Sequence, residues 1–475
     1  MKKNTLLLMA LMLANLAFGQ VQFPINPSQR VFNIKDFGAV GDSITLDTKA
    51  FQAAIDECTN TGGGVVRVPA GKYHLGTIIL KSNVTLSLDY GSYLLGSQNL
   101  ADYDSTLRVA REEANSQSLI YAEDASNISI EGLGVIDGRG SRTVFPRKDK
   151  NGKKLPRPRL LRMENCNQVK LSGVTYKRPA FWGIHLVDCS NVHIDGIKVR
   201  FTGNNSNNDG LDIDGCQNVL IENCDIESGD DGICLKSSLN PCRNYVIRNN
   251  IVKSHTSPLK FGTSSAGGFI DVSVSNCYFY DSPMGAIKLE LVDGGVMENI
   301  DISRIKMDNV GSPIFIRLGN RGRIYENFTE QIQNADARPE GAPVGSVKNI
   351  RISEVVADVQ LTSAKGPNKE FTDKQRAMAG PIMIAGIPNH YIENVVLENI
   401  EISYPGLGTK KDTKREVPED IARYPEQFFF GVLPGWGAYI RHAKNIEFNN
   451  VKMTLRSEDE REMIVLDDVE GFVNQ

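Results

Sequence analysis

Long apolar runs, helical signatures, metal-type cysteine spacings and a marked excess of either charge are all scarce in this 475-residue chain. Only Thr5 to Phe18 is apolar over any length, and that run is too short to cross a bilayer comfortably. No later stretch reads as transmembrane, so membrane insertion is not expected. The eight cysteines form no Cys-x-x-Cys and no Cys/His set with zinc spacing, so no metal is expected from them. A formal net charge of −4 argues against nucleic acid or an anionic membrane surface as the main partner. Any attraction for anions must be local.

Lys2 and Lys3 precede the apolar run, and Ala17-Phe18-Gly19 offers small residues at two cleavage positions. Residues 1–19 therefore read as a signal peptide, with a mature chain from Gln20 exported to the periplasm or the exterior. No cysteine follows the run, so no lipid anchor is indicated. Export would permit disulfides. Yet Cys166, Cys189 and Cys216 recur in one context, "NCNQV", "DCSNV" and "GCQNV", which suggests buried thiols stacked in a ladder.

What the chain has is repetition. A polar residue followed by alternating β-branched residues recurs at Asn83, Asn127, Gln168, Asn191, Asn218, Asn244, Asp271, Asn299, Asn349, Asn394 and Asn445. From Gln168 to Asn299 the intervals are 23, 27, 26, 27 and 28 residues. Period-two alternation indicates strands, and a fixed interval of this size indicates a solenoid whose coils each hold a few of them. With 41% hydrophobic residues and a core extended along one axis, residues 20–475 need no second domain. The one helical pattern is "DTKAFQAAIDECT", with Asp47 as a candidate cap and Phe51, Ala54, Ile55 and Cys58 on one face. It would plug the open N-terminal end. Thr362 to Gly380 and Gly406 to Glu426 are long polar interruptions, either walls of a cleft or mobile segments.

The densest polar signal is "NNSNNDGLDIDG" followed by "ESGDDGICLKS". Asp209 and Asp231 are 22 residues apart, about one coil, and Asp230 adjoins Asp231. Carboxylates crowded on neighbouring coils should include one that keeps its proton above the usual range. That is what glycoside hydrolysis requires: one acid for the leaving oxygen and one carboxylate for water or the sugar. Calcium binding or Asp-Gly turn chemistry would use the same residues. Asp212 and Asp214 alternate with apolar residues and read as structural or as supports for the catalytic carboxylates.

A row of cations also repeats: Lys236, Lys260, Lys288 and Arg317, at intervals of 24, 28 and 29 residues. Stacked coils would align them, and like charges in a column call for a compensating anion. An acidic polymer would supply one; so would nearby acids such as Asp214 and Glu290.

These segments together resemble glycoside hydrolase family 28, the polygalacturonases and rhamnogalacturonan hydrolases. The resemblance runs from "VFNIKDFGAVGD" through "GGGVVRVPAGKY", "RPRLLRMENC" and "AFWGIHLVDCSNVHI" to "NNDGLDID" and "SGDDGICLKS". It implies an all-β fold, a single-stranded right-handed parallel β-helix of the pectin-lyase-like kind, and an inverting hydrolase without cofactor or metal. A monomer acting on pectic polysaccharide or oligosaccharide is the implied setting. The family's Asn-Thr-Asp motif matches Asn207-Asn208-Asp209, and its Asp-Asp pair matches Asp230-Asp231. By that resemblance Asp230 is the general acid, and Asp209 and Asp231 activate water. Trp182 and His185 fall where such enzymes line the cleft, although coil packing would also account for them.

Two departures stand out. The polygalacturonase Gly-His-Gly is replaced by "SHTSPLKFG", where His255 lies within two residues of the expected place and Thr256 or Ser257 occupies it. The Arg-Ile-Lys motif is reduced to "AIKLE", which keeps only Lys288. Both motifs normally contact galacturonate, so a pectic substrate that is substituted, rhamnose-containing or otherwise unusual is expected. A β-helix polysaccharide lyase and a non-catalytic polyuronate-binding solenoid are the competing readings.

Overall fold

Valine- and isoleucine-rich phrases form strands here because branched side chains pack well on a pleated surface with one face buried. In the computed structural model the described residues are 30–109, 115–201, 206–323, 342–361 and 371–475. The expected signal peptide, 1–19, lies outside them, as do residues 362–370 of the first long interruption. Two compact units are present, Met1–Gly229 with Arg243–Asn250, and Asp230–Cys242 with Ile251–Gln475.

In the first unit each coil carries three short strands. Arg159–Glu164, Asn167–Ser172 and Thr175–Lys177 are followed one coil on by Ile184–Val187, Ser190–Asp195 and Lys198–Arg200. All pair in parallel with their counterparts. Val169 stands opposite Val192, Val192 opposite Val219 and Val219 opposite Tyr245, so the phrase intervals are the pairing intervals. Met163, Leu186 and Ile213 stack likewise and are fully buried. In the second unit the column Phe261, Leu289, Ile316, Ile384 and Ile440 runs through five successive coils. Each such side chain contributes about 1.5–3 kcal/mol by leaving water.

The polar residue that opens each phrase has a backbone reason. All eleven starts have φ between +55° and +64°, the left-handed region that turns the chain between strands. Asparagine enters that region more readily than other non-glycine residues because its short amide can bond locally. Stacked coils then join these amides. Asn191 Nδ2 donates to Asn167 Oδ1 (2.8 Å), Asn218 to Asn191 (3.2 Å) and Asn244 to Asn218 (3.0 Å). In the second unit Asn394 donates to Asn349 (3.0 Å) and Asn445 to Asn394 (3.1 Å).

The expected helix is Thr48–Asn60, burying Phe51, Ala54, Ile55 and Cys58. Asp47 precedes it but makes no side-chain cap bond; its carboxylate accepts instead from the Val40 and Gly41 amides at 2.6 and 2.9 Å. The plug is made by Gln52. Its amide donates to the Ile79 carbonyl and accepts from the Ile79 N–H (3.1 and 2.8 Å), as a neighbouring strand would. The other α-helix among the described residues is the six-residue Asp373–Met378. All eight cysteines are buried thiols, and the ladder expected at Cys166, Cys189 and Cys216 is present, with each Sγ near a buried carbonyl.

Replacing Asn191 by Ala removes one donor and one acceptor from the ladder and places a methyl side chain in the left-handed region. A loss of about 2–3 kcal/mol is expected in urea unfolding. Asn191→Gly should recover about 1 kcal/mol of that, because glycine takes this φ freely.

Candidate active site

Asp230 and Asp231 lie in the turn before the strand Ile233–Ser237. Gly232 fits this turn because a Cβ there would meet the Pro258 carbonyl at 2.8 Å and Val252 Cγ1 at 2.5 Å. Its N–H donates to the Ser257 carbonyl at 2.8 Å, which ties the turn to the next coil. That coil supplies Thr256, whose hydroxyl donates to Asp231 Oδ1 (2.6 Å) and reaches Asp230 Oδ1 at 3.3 Å. It also supplies Lys260, whose Nζ lies 3.1 Å from Asp231 Oδ2. Asp231 is buried, whereas Asp230 is partly exposed.

The two neighbours titrate in opposite directions. Burial and the adjacent Asp231 charge raise the Asp230 carboxyl above its ordinary range. Burial would raise Asp231 as well, but Lys260 and Lys288 outweigh it and hold that carboxyl below the ordinary range. One carboxyl that holds its proton more tightly than usual thus sits beside one that releases it more readily, the asymmetry that proton transfer to a leaving group uses.

Lys260 and Lys288 face each other directly on adjacent strands. Both are nearly fully buried. The anion that offsets them comes from the protein itself. Glu426 Oε1 is 3.7 Å from Lys260 Nζ, and Glu426 Oε2 accepts a hydrogen bond from Lys288 Nζ. Tyr424 adds its hydroxyl, 3.1 Å from Lys260 Nζ. Both groups belong to the second long interruption, which therefore packs over these two lysines. Glu290, two residues beyond Lys288 on the same strand, is also buried here. Burial, only partly offset by Lys260, pushes its carboxyl up to about 8.

The expected cation column holds only for Lys260 and Lys288. Lys260 is registered with Cys234, two residues before Lys236, so Lys236 is offset from the column, and the register shifts again between Leu235 and Ser237. Arg317 stands opposite Glu290 rather than Lys288. Its guanidinium donates to the carbonyls of Gly386 (2.9 Å), Glu419 (2.8 Å) and Asp420 (3.2 Å), so it buttresses the second interruption. His255 lies in the bend just past the strand Ile251–Ser254 and is exposed, whereas the Ser254 and Thr256 hydroxyls bond to Asp230 and Asp231. It is exposed in a groove with Lys253, Asp281 and Gln360, while Thr256 holds the place against the aspartate pair.

In the first unit Asn207, Asn208 and Asp209 follow the strand Lys198–Arg200. Asn208 Nδ2 donates to the Phe201 carbonyl (3.0 Å), and Gly229 leaves space for that amide, which a Cβ would meet at 2.5 Å. Buried Arg157 donates to the Ser206 carbonyl (2.7 Å) and to Asn207 Oδ1 (3.0 Å). Asp209 is buried, and its carbonyl accepts from the Gly183 N–H at 3.0 Å. Trp182 stacks on Phe181 (5.1 Å) beneath the Arg159 guanidinium and meets the His185 ring edge-on at 4.9 Å. His185 is registered with Arg162 on one side and Asp212 on the other. Both rings are almost fully buried in this packing. Asp212 and Asp214 are buried on the strand Leu211–Asp214.

His193, Asp195 and Glu222 bring ligand-type atoms within 4.8 Å of one another. Glu222 there already accepts from Arg248 Nε at 2.8 Å and lies 3.0 Å from His193 Nε2.

The family model for glycosyl hydrolases family 28 matches residues 58–415. A probable polygalacturonase of Vitis vinifera is 29% identical over 378 residues, covering 70% of this chain and 76% of the relative. An exo-poly-alpha-D-galacturonosidase of Dickeya chrysanthemi is 24% identical over 439 residues, covering 78% and 71%. Among solved structures, the Yersinia enterocolitica family 28 exopolygalacturonase superposes with a TM-score of 0.70 at 22% identity, covering 94% of this chain and 78% of that one. A hyperthermoactive exopolygalacturonase from Thermotoga maritima gives 0.67 at 25% identity, covering 82% and 91%. The fold is the right-handed parallel β-helix of these proteins.

Glu290 makes stability depend on pH. An unfolded-state glutamate loses its proton near 4.5, whereas the folded chain keeps it to about 8, so stability falls as pH rises between these values. Glu290→Gln removes that titration. The variant should lose about 2–3 kcal/mol less stability than wild type between pH 5 and 8, as measured by denaturant unfolding at each pH.

Proposed function

The chain belongs to glycosyl hydrolases family 28, whose model spans residues 58–415 of its 475, and on that premise we propose an inverting hydrolysis of pectic polysaccharide or oligosaccharide at the Asp230–Asp231 turn. The observation that carries this reading is the unequal setting of two adjacent carboxyls: Asp231 is buried against Lys260 Nζ (3.1 Å) and the Thr256 hydroxyl (2.6 Å), whereas Asp230 is the more exposed. Asp230, whose carboxyl is raised above its ordinary range, donates to the glycosidic oxygen as the bond breaks. Asp231 stays ionised against Lys260 and, together with Asp209, orients and deprotonates the attacking water on the opposite face of the sugar. Asn207 lines the substrate path in this reading, buried Trp182 and His185 pack behind it rather than meeting the sugar, and Lys260 and Lys288 set the charge around the reacting sugar.

The sugar recognised differs from that of a plain polygalacturonase. Thr256, a small neutral hydroxyl, stands against the aspartate pair where those enzymes carry histidine. Fully buried Ala286 stands where they carry the arginine of Arg-Ile-Lys. Two galacturonate contacts are thus replaced by groups without charge. An exported monomer, working as one domain over 20–475, completes the proposal.

Asp230→Asn should lower hydrolysis by about 10²–10⁴-fold while the melting transition stays near that of wild type. The assay is the release of new reducing ends from a panel of pectic polysaccharides. An unsaturated ultraviolet-absorbing product would mean a lyase, and no product from any of them a binding protein. Thr256→Val removes a hydrogen bond that favours ionised Asp231, so the acid limb of kcat/KM should move to higher pH. An unmoved acid limb would exclude Asp231 from the step.

A further inference from the structure

We propose that Glu426 determines which sugar is accepted beside Asp231: its carboxylate fills the anion position between Lys260 and Lys288, so the sugar unit seated there is uncharged. This rests on the hydrolase reading and names the substrate class at that position. Two lysines side by side on neighbouring strands repel unless an anion lies between them, and at 2% and 1% exposure water screens them little. An acidic sugar could supply that anion, but here Glu426 does, with one oxygen toward each lysine. Asp231 supplies the second negative charge, at 3.1 Å from Lys260. At the Lys260–Lys288 pair itself two ammonium groups thus meet two carboxylates, while Lys236 acts from its own strand on Asp230 and Asp231. A uronate entering this balanced set would bring a third carboxylate against Glu426 and Asp231, whereas a neutral sugar leaves the balance intact.

Glu426 is built in rather than resting in a vacant site. The segment carrying it is held by Asn320 N–H on the Ile421 carbonyl (2.7 Å), by Arg317 on Glu419 and Asp420, and by Arg441 on the Val417 carbonyl (3.0 Å). Immediately after Glu426, Phe428 and Phe430 are buried in two apolar clusters. A uronate would have to uproot this segment to take the place of Glu426. Tyr424, on the same segment, directs its hydroxyl at Lys260 and so occupies part of the same position.

Glu426→Gln tests the assignment. The variant leaves two buried ammonium groups short of an anion, so its melting midpoint should fall, and added galacturonate should restore it while galactose at the same concentration does not. Wild type should not respond to galacturonate, and kcat/KM on trigalacturonate should rise about tenfold in the variant. A residue with a structural role only would lose stability without this selective rescue. Galacturonate stabilising wild type as much as the variant, or leaving the variant unmoved, overturns the proposal. Should Glu426→Gln not fold, calorimetry on wild type decides: galacturonate binding no tighter than galactose supports the assignment, and tighter binding overturns it. Absence of new reducing ends from every pectic substrate would defeat the hydrolase reading alone, because the melting and calorimetric readouts do not depend on turnover.

Discussion

A single asparagine amide bonded to the amide one coil away sets the terms for everything else in each unit. The residue must turn the backbone through the left-handed region, and in doing so it presents its side chain to the same corner of the neighbouring coil. Once that corner is fixed, strand alternation decides which side chains enter the core and which face outward. A slip by one residue would move Lys260 inward and Phe261 out. The chemistry of the pocket is therefore a consequence of corner geometry before it is a matter of charge.

Within the second unit the pocket shows how a buried cluster of charges is kept in balance. Lys260 and Lys288 would be costly alone, and so would Asp231 and Glu426. Together they compensate one another, while burial and the Asp231 charge raise the Asp230 carboxyl at the edge, and both Glu290 oxygens lack a hydrogen-bond partner among the described residues. Arg317 contributes at one remove, by holding the segment that brings Glu426 into place.

Much of this was legible in the sequence, and the limits have physical causes. The phrase beginning at Asn191 announced both a strand and a corner, because period two and a left-handed asparagine each leave a local mark. The Asp230-Asp231 pair was visible for the same reason. The alignment of Lys236 and Arg317 with the other cations was not, because spacing alone does not reveal the irregularity after Leu235 or the two-residue offset at Glu290. Glu426 was invisible as a partner of Lys288, 138 residues away, since no local pattern links a loop to a strand that distant. Thr256 rather than His255 meets the aspartate pair because the chain bends just past Ser254, and a bend leaves no periodic mark from which facing can be read.

The stacked thiols carry a consequence for how the molecule matures. All eight cysteines are buried and unbridged, and burial pushes Cys58 up to about 11 and Cys224 to about 12, so thiolate is scarce at neutral pH. A sulfur that neither ionises nor meets solvent is a poor target for oxidants. Assembly of this architecture accordingly asks nothing of oxidative folding catalysts, and reductants have no cross-link in it to cut.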